Sequence, residues 1–187
     1  MNIPAIATER LVLRPFTMDD VDPLHEIVQQ PDIMRYFPPQ PRPANPPLRE
    51  AIERLINGQL KDWERNGYAW WAVELKDKLR LLGWCGLGYL SETDETEVAY
   101  LLRQEVWGQG LATEAAKASL AWGFQTFQFD AIIGLIHPDN IASQRVLEKC
   151  GLTFVERKDY FGMECCRYVL YRLQTADSRS RAAIEEK

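Results

Sequence analysis

The stretch VWGQGLATEA, residues 106–115, sets Gly108, Gly110 and Ala112 at alternate positions and then runs into good helix formers. The first four N–H groups of a helix have no partner inside it, and the aligned peptide dipoles leave about half a positive charge at that end. Where side chains are small or missing, an anion can reach those amides, so the spacing suits a pyrophosphate cradle; an ordinary tight turn before a helix uses the same residues. Two other nucleotide signatures are missing. GxxxxGK[ST] does not occur, and GxGxxG fails because Thr113 stands where its third glycine would be.

The elements around this stretch follow from periodicity and punctuation. ATERLVLRPF alternates Leu11 and Leu13 with Arg10, Val12 and Arg14 and stops at Pro15, which predicts a short strand. TMDDVDPLHEIVQQ offers Thr17 and Asp19 as caps and sets Val21, Leu24, Ile27 and Val28 at helical spacing, ending before Pro31. FPPQPRPANPP holds six of the eleven prolines and must be an extended loop. Leu48, Ile52, Leu55, Ile56, Leu60 and Trp63 then mark an amphipathic helix stopped at Asn66-Gly67.

YAWWAVEL, LRLLGWCGLGYL and TEVAYLL read as an antiparallel meander, with turns at Lys76–Lys78 and at SETDET. The helix after the glycines spans about Ala112 to Gln125. AIIGLI is a short apolar strand expected to be buried on both faces. NIASQRVLEKCG makes a helix capped by Asn140 and stopped by Gly151, and LTFVERKDYF and MECCRYVLYRL close the sheet around a turn at Gly162. The order predicts a mixed α/β sheet covered by helices.

A chain of 187 residues can bury one sizeable core, so residues 1–174 are expected to form a single domain and 175–187 a charged tail. A net charge of -5 and a pI near 5.2 argue against an electrostatic grip on nucleic acid. No apolar run approaches a membrane span and MNIPAIATER lacks the regions of a secretory leader, so no membrane contact and a cytoplasmic location are expected. Cys85, Cys150, Cys165 and Cys166 form no CxxC pair or His/Cys cluster, so no metal is expected. Adjacent Cys165 and Cys166 would point to opposite faces of a strand as reduced thiols, at least one of them inside.

EVAYLLRQEVWGQGLATEA, with NIASQRVLEKCGL further along, resembles the GNAT superfamily of acetyl-CoA-dependent N-acetyltransferases. The likeness is to the branch that includes the ribosomal-protein N-terminal acetyltransferases, the Rim enzymes, and covers nearly the whole chain. It implies a mostly antiparallel seven-stranded mixed sheet, splayed between the fourth strand (EVAYLL) and the fifth (AIIGLI), with about four helices. The family's cradle pattern, Arg or Gln, two residues, Gly, any residue, Gly or Ala, falls on Trp107 to Ala112, and Trp107 departs from its first position. By this resemblance the diphosphate of acetyl-CoA is held by Gly108, Gln109, Gly110, Leu111, Ala112 and Thr113. Its arm lies in the splay, against the backbone of the fourth strand at Leu102 and against Asn140 and Ser143. Capping its own helix (Asn140) and facing the first turn (Ser143) are the plain structural roles open to the last two.

Direct acetyl transfer to an amine needs a neutral nitrogen, a stabilised oxyanion and departure of a thiolate. An acidic side chain, directly or through water, would help draw off the ammonium proton, and Glu97, which the resemblance places on the strand beside the thioester, is the leading candidate; an idle strand carboxylate is its alternative. Glu164 is a second candidate, whereas Glu114 is expected to support the start of its own helix. Where many relatives carry a tyrosine acid this chain has Leu147, which leaves Ser143 or water to serve a thiolate whose pKa is about 8.5.

His25 is read as a surface residue, His137 as a wall of the cofactor channel, and Tyr36 and Phe37 as an acceptor entrance. The six tryptophans, Trp70 and Trp71 included, are expected to pack rather than to stack on ligands. The partner is an amine: a peptide N-terminus, an aminoglycoside, a polyamine or a small metabolite. The competing reading keeps the fold without turnover, as an acyl-CoA-binding sensor or interaction module. Monomer and homodimer are both open.

Overall fold

Eight strands form one sheet in the order β1-β2-β3-β4-β5-β6-β8-β7. The strands are β1 (Ile6–Ala7), β2 (Leu11–Arg14), β3 (Trp70–Leu75), β4 (Arg80–Leu90), β5 (Glu95–Leu102), β6 (Ala131–Ile136), β7 (Thr153–Tyr160) and β8 (Met163–Tyr171). Four α-helices cover it: α1 (Val21–Val28), α2 (Leu48–Asn66), α3 (Leu111–Thr126) and α4 (Ile141–Lys149). The computed structural model describes residues 3–37, 48–78 and 80–172. Residues 38–47 of the proline-rich loop and the expected tail from 175 lie outside the described residues. The count exceeds the seven strands read from the sequence because Ile6 and Ala7 pair with Leu13 and Val12. Two residues are too few for alternation to reveal a strand.

Every neighbouring pair is antiparallel except β5 and β6, which run parallel and share one registered pair, Glu97 opposite Ile133. β4 and β5, by contrast, match eight pairs from Gly83–Leu102 to Leu90–Glu95. Alternation along β5 divides its side chains between two cores. Val98 and Leu102 join Leu87, Ala115, Leu120 and Leu147 beneath α3 and α4. Leu101 joins Leu24, Ile27, Ile52, Ile56 and Trp84 beneath α1 and α2. β6 is buried from Ile132 to Gly134 as expected, but its ends, beyond the single pair with β5, are half-buried.

Capping of the first helix differs from the sequence reading. A short 3-10 turn, Met18–Asp20, precedes α1, and the Asp20 carboxylate, not that of Asp19, accepts the Thr17 N–H at 2.8 Å. Asp20 is only 3% exposed because Arg14 donates to both its oxygens, at 2.8 and 2.6 Å, and also to Glu74 at 2.6 Å. One guanidinium thus ties β2 and β3 to the start of α1. α3 begins at Leu111, one residue earlier than read, with Gly110 at its cap.

Cys165 and Cys166 are both buried, and all four cysteines are free thiols. Burial pushes Cys85 up to about 12 and Cys150 and Cys165 to about 11, so these thiols stay protonated and inert. Among the described residues no cluster of His, Cys, Asp and Glu could hold a metal, and no helix is long and apolar enough to cross a membrane.

Removing one partner from a buried ion pair leaves an uncompensated charge. We therefore expect Arg14→Met to lower the unfolding free energy by about 3 kcal/mol in urea titrations. A loss below about 1 kcal/mol would mean that the cluster behaves as a screened surface pair.

Candidate active site

After β5 the chain passes through a turn at Gln104–Val106 into the exposed residues Trp107 to Gly110. The Trp107 indole N–H donates to the Leu102 carbonyl at 2.6 Å, and the Gln109 side-chain amide donates to the Glu105 carbonyl at 3.1 Å. These bonds fold the loop back on the end of β5. Gly108 and Gly110 have φ of +75° and +78°, a region that a Cβ makes unfavourable. Gly110 caps α3 without a side chain to offer, and the first bond of the helix runs from the Glu114 N–H to the Gly110 carbonyl at 3.0 Å. The N–H groups of Leu111, Ala112 and Thr113 are left as spare donors at the positive end of a 16-residue helix.

A tether from the other end of the sequence steadies this mouth. Arg10 donates from Nη1 to the Gln109 carbonyl at 2.9 Å and from Nε to the Glu114 carboxylate at 2.7 Å. Glu114 also accepts the Thr8 hydroxyl at 2.6 Å and the Arg10 backbone N–H at 2.8 Å. Burial alone would raise this carboxyl; the Thr8 hydroxyl, the Arg10 N–H and the Arg10 guanidinium outweigh it and hold Glu114 below its ordinary value. Glu114 supports its helix start, as read from the sequence. Arg10 was missed, because its partners lie about a hundred positions away in the chain.

Glu97 sits at the single pair joining β5 to β6 and opposite Gly88 on β4. Its side chain borders a cavity of about 140 Å³, together with Gln59 and Asp62 of α2, Trp70, Gly88 and Tyr89. No described residue makes a hydrogen bond to its carboxyl, and burial pushes it up to about 7. Gln59 accepts the Trp70 backbone N–H at 2.9 Å and so fastens α2 to the start of β3 beside the cavity.

Across the sheet, Asn140 caps α4 by accepting the Ser143 N–H at 3.1 Å. The Ser143 carbonyl accepts the Tyr100 hydroxyl at 2.9 Å. Burial holds that phenol well above its usual range. Tyr100 went unnoticed in the sequence, although alternation with Val98 and Leu102 assigns it to the face beneath α3 and α4. Leu147 is fully buried and packs on Gly134 of β6.

The remaining candidates scatter. Glu164 is exposed on the β7–β8 hairpin, 3.8 Å from Arg157. His25 contacts Gln29 one turn along α1. The His137 ring lies 5.3 Å from that of Tyr36, and Phe37 packs on Trp84 at 6.3 Å between centroids. Trp71 meets Trp63 and Trp122 in the core, and Trp70 stacks on Trp84 at 3.9 Å and 5°.

A parallel pair joined at one registered position, a glycine-led helix mouth after it and a half-buried strand carboxyl fit an acetyltransferase fold, and the chain belongs to the GNAT acetyltransferase family, whose acetyltransferase (GNAT) domain matches residues 10–153. It is by membership an acyltransferase of the N-acetyltransferase type. A Bacillus subtilis (strain 168) relative, the uncharacterised protein YkkB, is 30% identical over 80% of this chain and 85% of its own length. In fold the chain is similar to Mycobacterium smegmatis RimJ in complex with CoA-disulfide, with a TM-score of 0.77 and 19% identity over 97% of this chain and 95% of that one. It is likewise similar to RimL, a ribosomal L7/L12 α-N-protein acetyltransferase solved with coenzyme A, with a TM-score of 0.73 and 17% identity over 90% and 97%.

The raised Glu97 carboxyl has a measurable consequence. Its folded pKa exceeds the unfolded one, so the stability that neutral Glu97 preserves is full below about pH 4.3 and is lost as pH rises through about 7. Glu97→Gln is expected to match the parent in urea unfolding at low pH and to exceed it by on the order of 2 kcal/mol at alkaline pH. Identical pH dependence in the two proteins would mean that water solvates this carboxyl.

Proposed function

We propose that the chain binds acetyl-CoA at the mouth of α3 and moves its acetyl group directly to a primary amine, with a peptide N-terminus as the favoured acceptor. The observation that carries this reading is the uncapped start of α3, with three spare N–H groups, next to a sheet whose ladder stops after one pair. RimJ and RimL, similar in fold, were solved with forms of coenzyme A, and RimL acts on a protein α-amine. Residues 1–174 would form the acetyltransferase domain, acting in the cytoplasm as a monomer or homodimer.

In this reading Gly108, Gln109, Gly110, Leu111, Ala112 and Thr113 present backbone amides to the diphosphate, and Trp107, bonded to Leu102, braces the loop where the family pattern has Arg or Gln. The arm follows the backbone of β5 as far as Leu102 and passes Asn140 and Ser143 at the first turn of α4. Bound acetyl-CoA supplies an activated acyl group. Glu97 takes the ammonium proton, directly or through water in the cavity; a carboxyl raised towards neutrality is a better matched base than an ordinary one. Ser143 or water returns a proton to the departing thiolate.

Leu147 in place of a tyrosine favours one competing reading, an acyl-CoA-binding module without turnover. Thiol release from acetyl-CoA with N-terminal peptides and small amines separates the two, since tight binding with no release on any amine sinks the enzyme. We expect Glu97→Gln to lower kcat/KM by about a hundredfold while acetyl-CoA affinity is unchanged. Gly110→Val, which puts a branched side chain at positive φ at the cap of α3 and beside the Arg10 guanidinium, is expected to weaken acetyl-CoA binding at least about tenfold in calorimetry. Intact affinity in that variant would remove the helix mouth from cofactor binding.

A further inference from the structure

The cavity beside Glu97 holds a polar group that the reading above leaves unused. The Trp70 indole Nε1 is shielded from solvent and has no hydrogen-bond partner among the described residues. A buried N–H left unpaired is costly, so its persistence points to a partner met in another state of the site. Its surroundings are rigid. The ring lies flat on Trp84 at 3.9 Å, the Trp70 N–H is bonded to Gln59, and the Trp70 carbonyl accepts the Trp63 indole at 3.3 Å.

The spot this N–H faces is defined by Gly88. A Cβ on Gly88 would stand 3.4 Å from Trp70 Nε1 and 3.7 Å from both Cγ and Oε1 of Glu97. The position of the missing methyl is therefore a gap bordered on one side by the indole and on the other by the carboxyl. We propose that the Trp70 indole N–H receives the Glu97 carboxylate when its proton is gone, which makes Trp70 a positioning residue for the base. When Glu97 is neutral the two groups rest apart, and when it ionises the bond forms and fixes the carboxylate against the cavity wall. This rests on the reading of Glu97 as proton acceptor only for its consequence in turnover; the hydrogen bond itself does not.

No cation lines the cavity beside Glu97 among the described residues. Asp62 of α2, Tyr68 before β3 and Tyr89 of β4 line the same cavity, and Cys165 of β8 senses the Glu97 charge. None is cationic. The Tyr68 hydroxyl is engaged with Thr96 at 2.8 Å, and the Tyr89 hydroxyl donates to Asp94 at 2.9 Å. Gln59 also lines the cavity, with its oxygen holding the Trp70 backbone N–H; the indole is the neutral donor that borders the Gly88 gap beside a carboxylate that burial otherwise disfavours.

Trp70→Phe keeps a ring on Trp84 and deletes the donor. Carbon-13 NMR of the side-chain carboxyl, assigned through Glu97→Gln, should show the Glu97 titration midpoint rising by about one pH unit in Trp70→Phe, as loss of a hydrogen bond to a charged group requires. The acid limb of the kcat/KM profile should move by the same amount, with activity near pH 7 down roughly fivefold, recovery at higher pH and acetyl-CoA affinity unchanged. Gly88→Ala, which wedges a methyl between the two groups, should raise the midpoint in the same sense and serves if Trp70→Phe does not fold. A midpoint unmoved in either folded variant overturns the proposal. A moved midpoint with no effect of Glu97→Gln on turnover keeps the hydrogen bond and sinks the base.

Discussion

β5 and β6 run parallel and meet at one pair of residues, so the hydrogen-bond ladder that knits the other strands together stops in the middle of the sheet. Backbone N–H and C=O groups beyond that pair must find other partners if water is kept from them. The protein answers part of the demand itself: Trp107 returns from the loop to occupy the Leu102 carbonyl. An extended ligand with amide groups of its own would answer the rest, which is why the gap, rather than any single side chain, is the natural seat of the acetyl-CoA arm in the function proposed here. The same interruption places Glu97 at the seam between the two halves of the sheet.

Two arginines at either end of β2 stiffen the elements around the gap. Arg10 holds the mouth of α3 through Gln109 and Glu114, and Arg14 holds the start of α1 through Asp20 while reaching Glu74 on β3. Each ties a helix terminus to the edge of the sheet where the chain begins. A cradle built of exposed glycines gains no rigidity from its own side chains, so its geometry must be imposed from outside. The Glu114 carboxylate, held ionised by three donors, does this from within the first turn of the helix.

Opposite behaviour in two carboxyls shows how environment sets role. Glu114 is surrounded by donors and lies below its ordinary pKa, whereas Glu97 has none and lies above it. The first is a structural anchor and the second is poised to exchange a proton near neutrality. Trp70 lines the cavity beside Glu97 and stacks on Trp84 of the core beneath α1 and α2, which fixes that wall of the cavity.

Much of this was legible in the sequence, because it rests on local rules. The alternation of Leu11 with Leu13, the helical spacing from Leu48 to Trp63 and the glycines at 108 and 110 each state their element within a few residues. Asn140 as a cap was also readable, since it acts on its own helix, and so was the place of Glu114 in the first turn of α3, but not the Thr8 and Arg10 donors that hold it. The two-residue β1 was too short to show a period, and Asp19 could not be told from Asp20 as the cap partner until Arg14 was seen to bury one of them. Arg10 at the cradle, Tyr100 at α4, and Trp70 facing Glu97 across Gly88 join residues far apart in the chain. Periodicity, caps and turn residues were determined by the chain alone, since each depends on neighbours along it. The meeting of donors and acceptors across strands was decided only by tertiary structure, because register and packing, which no local window contains, set which side chains share a space.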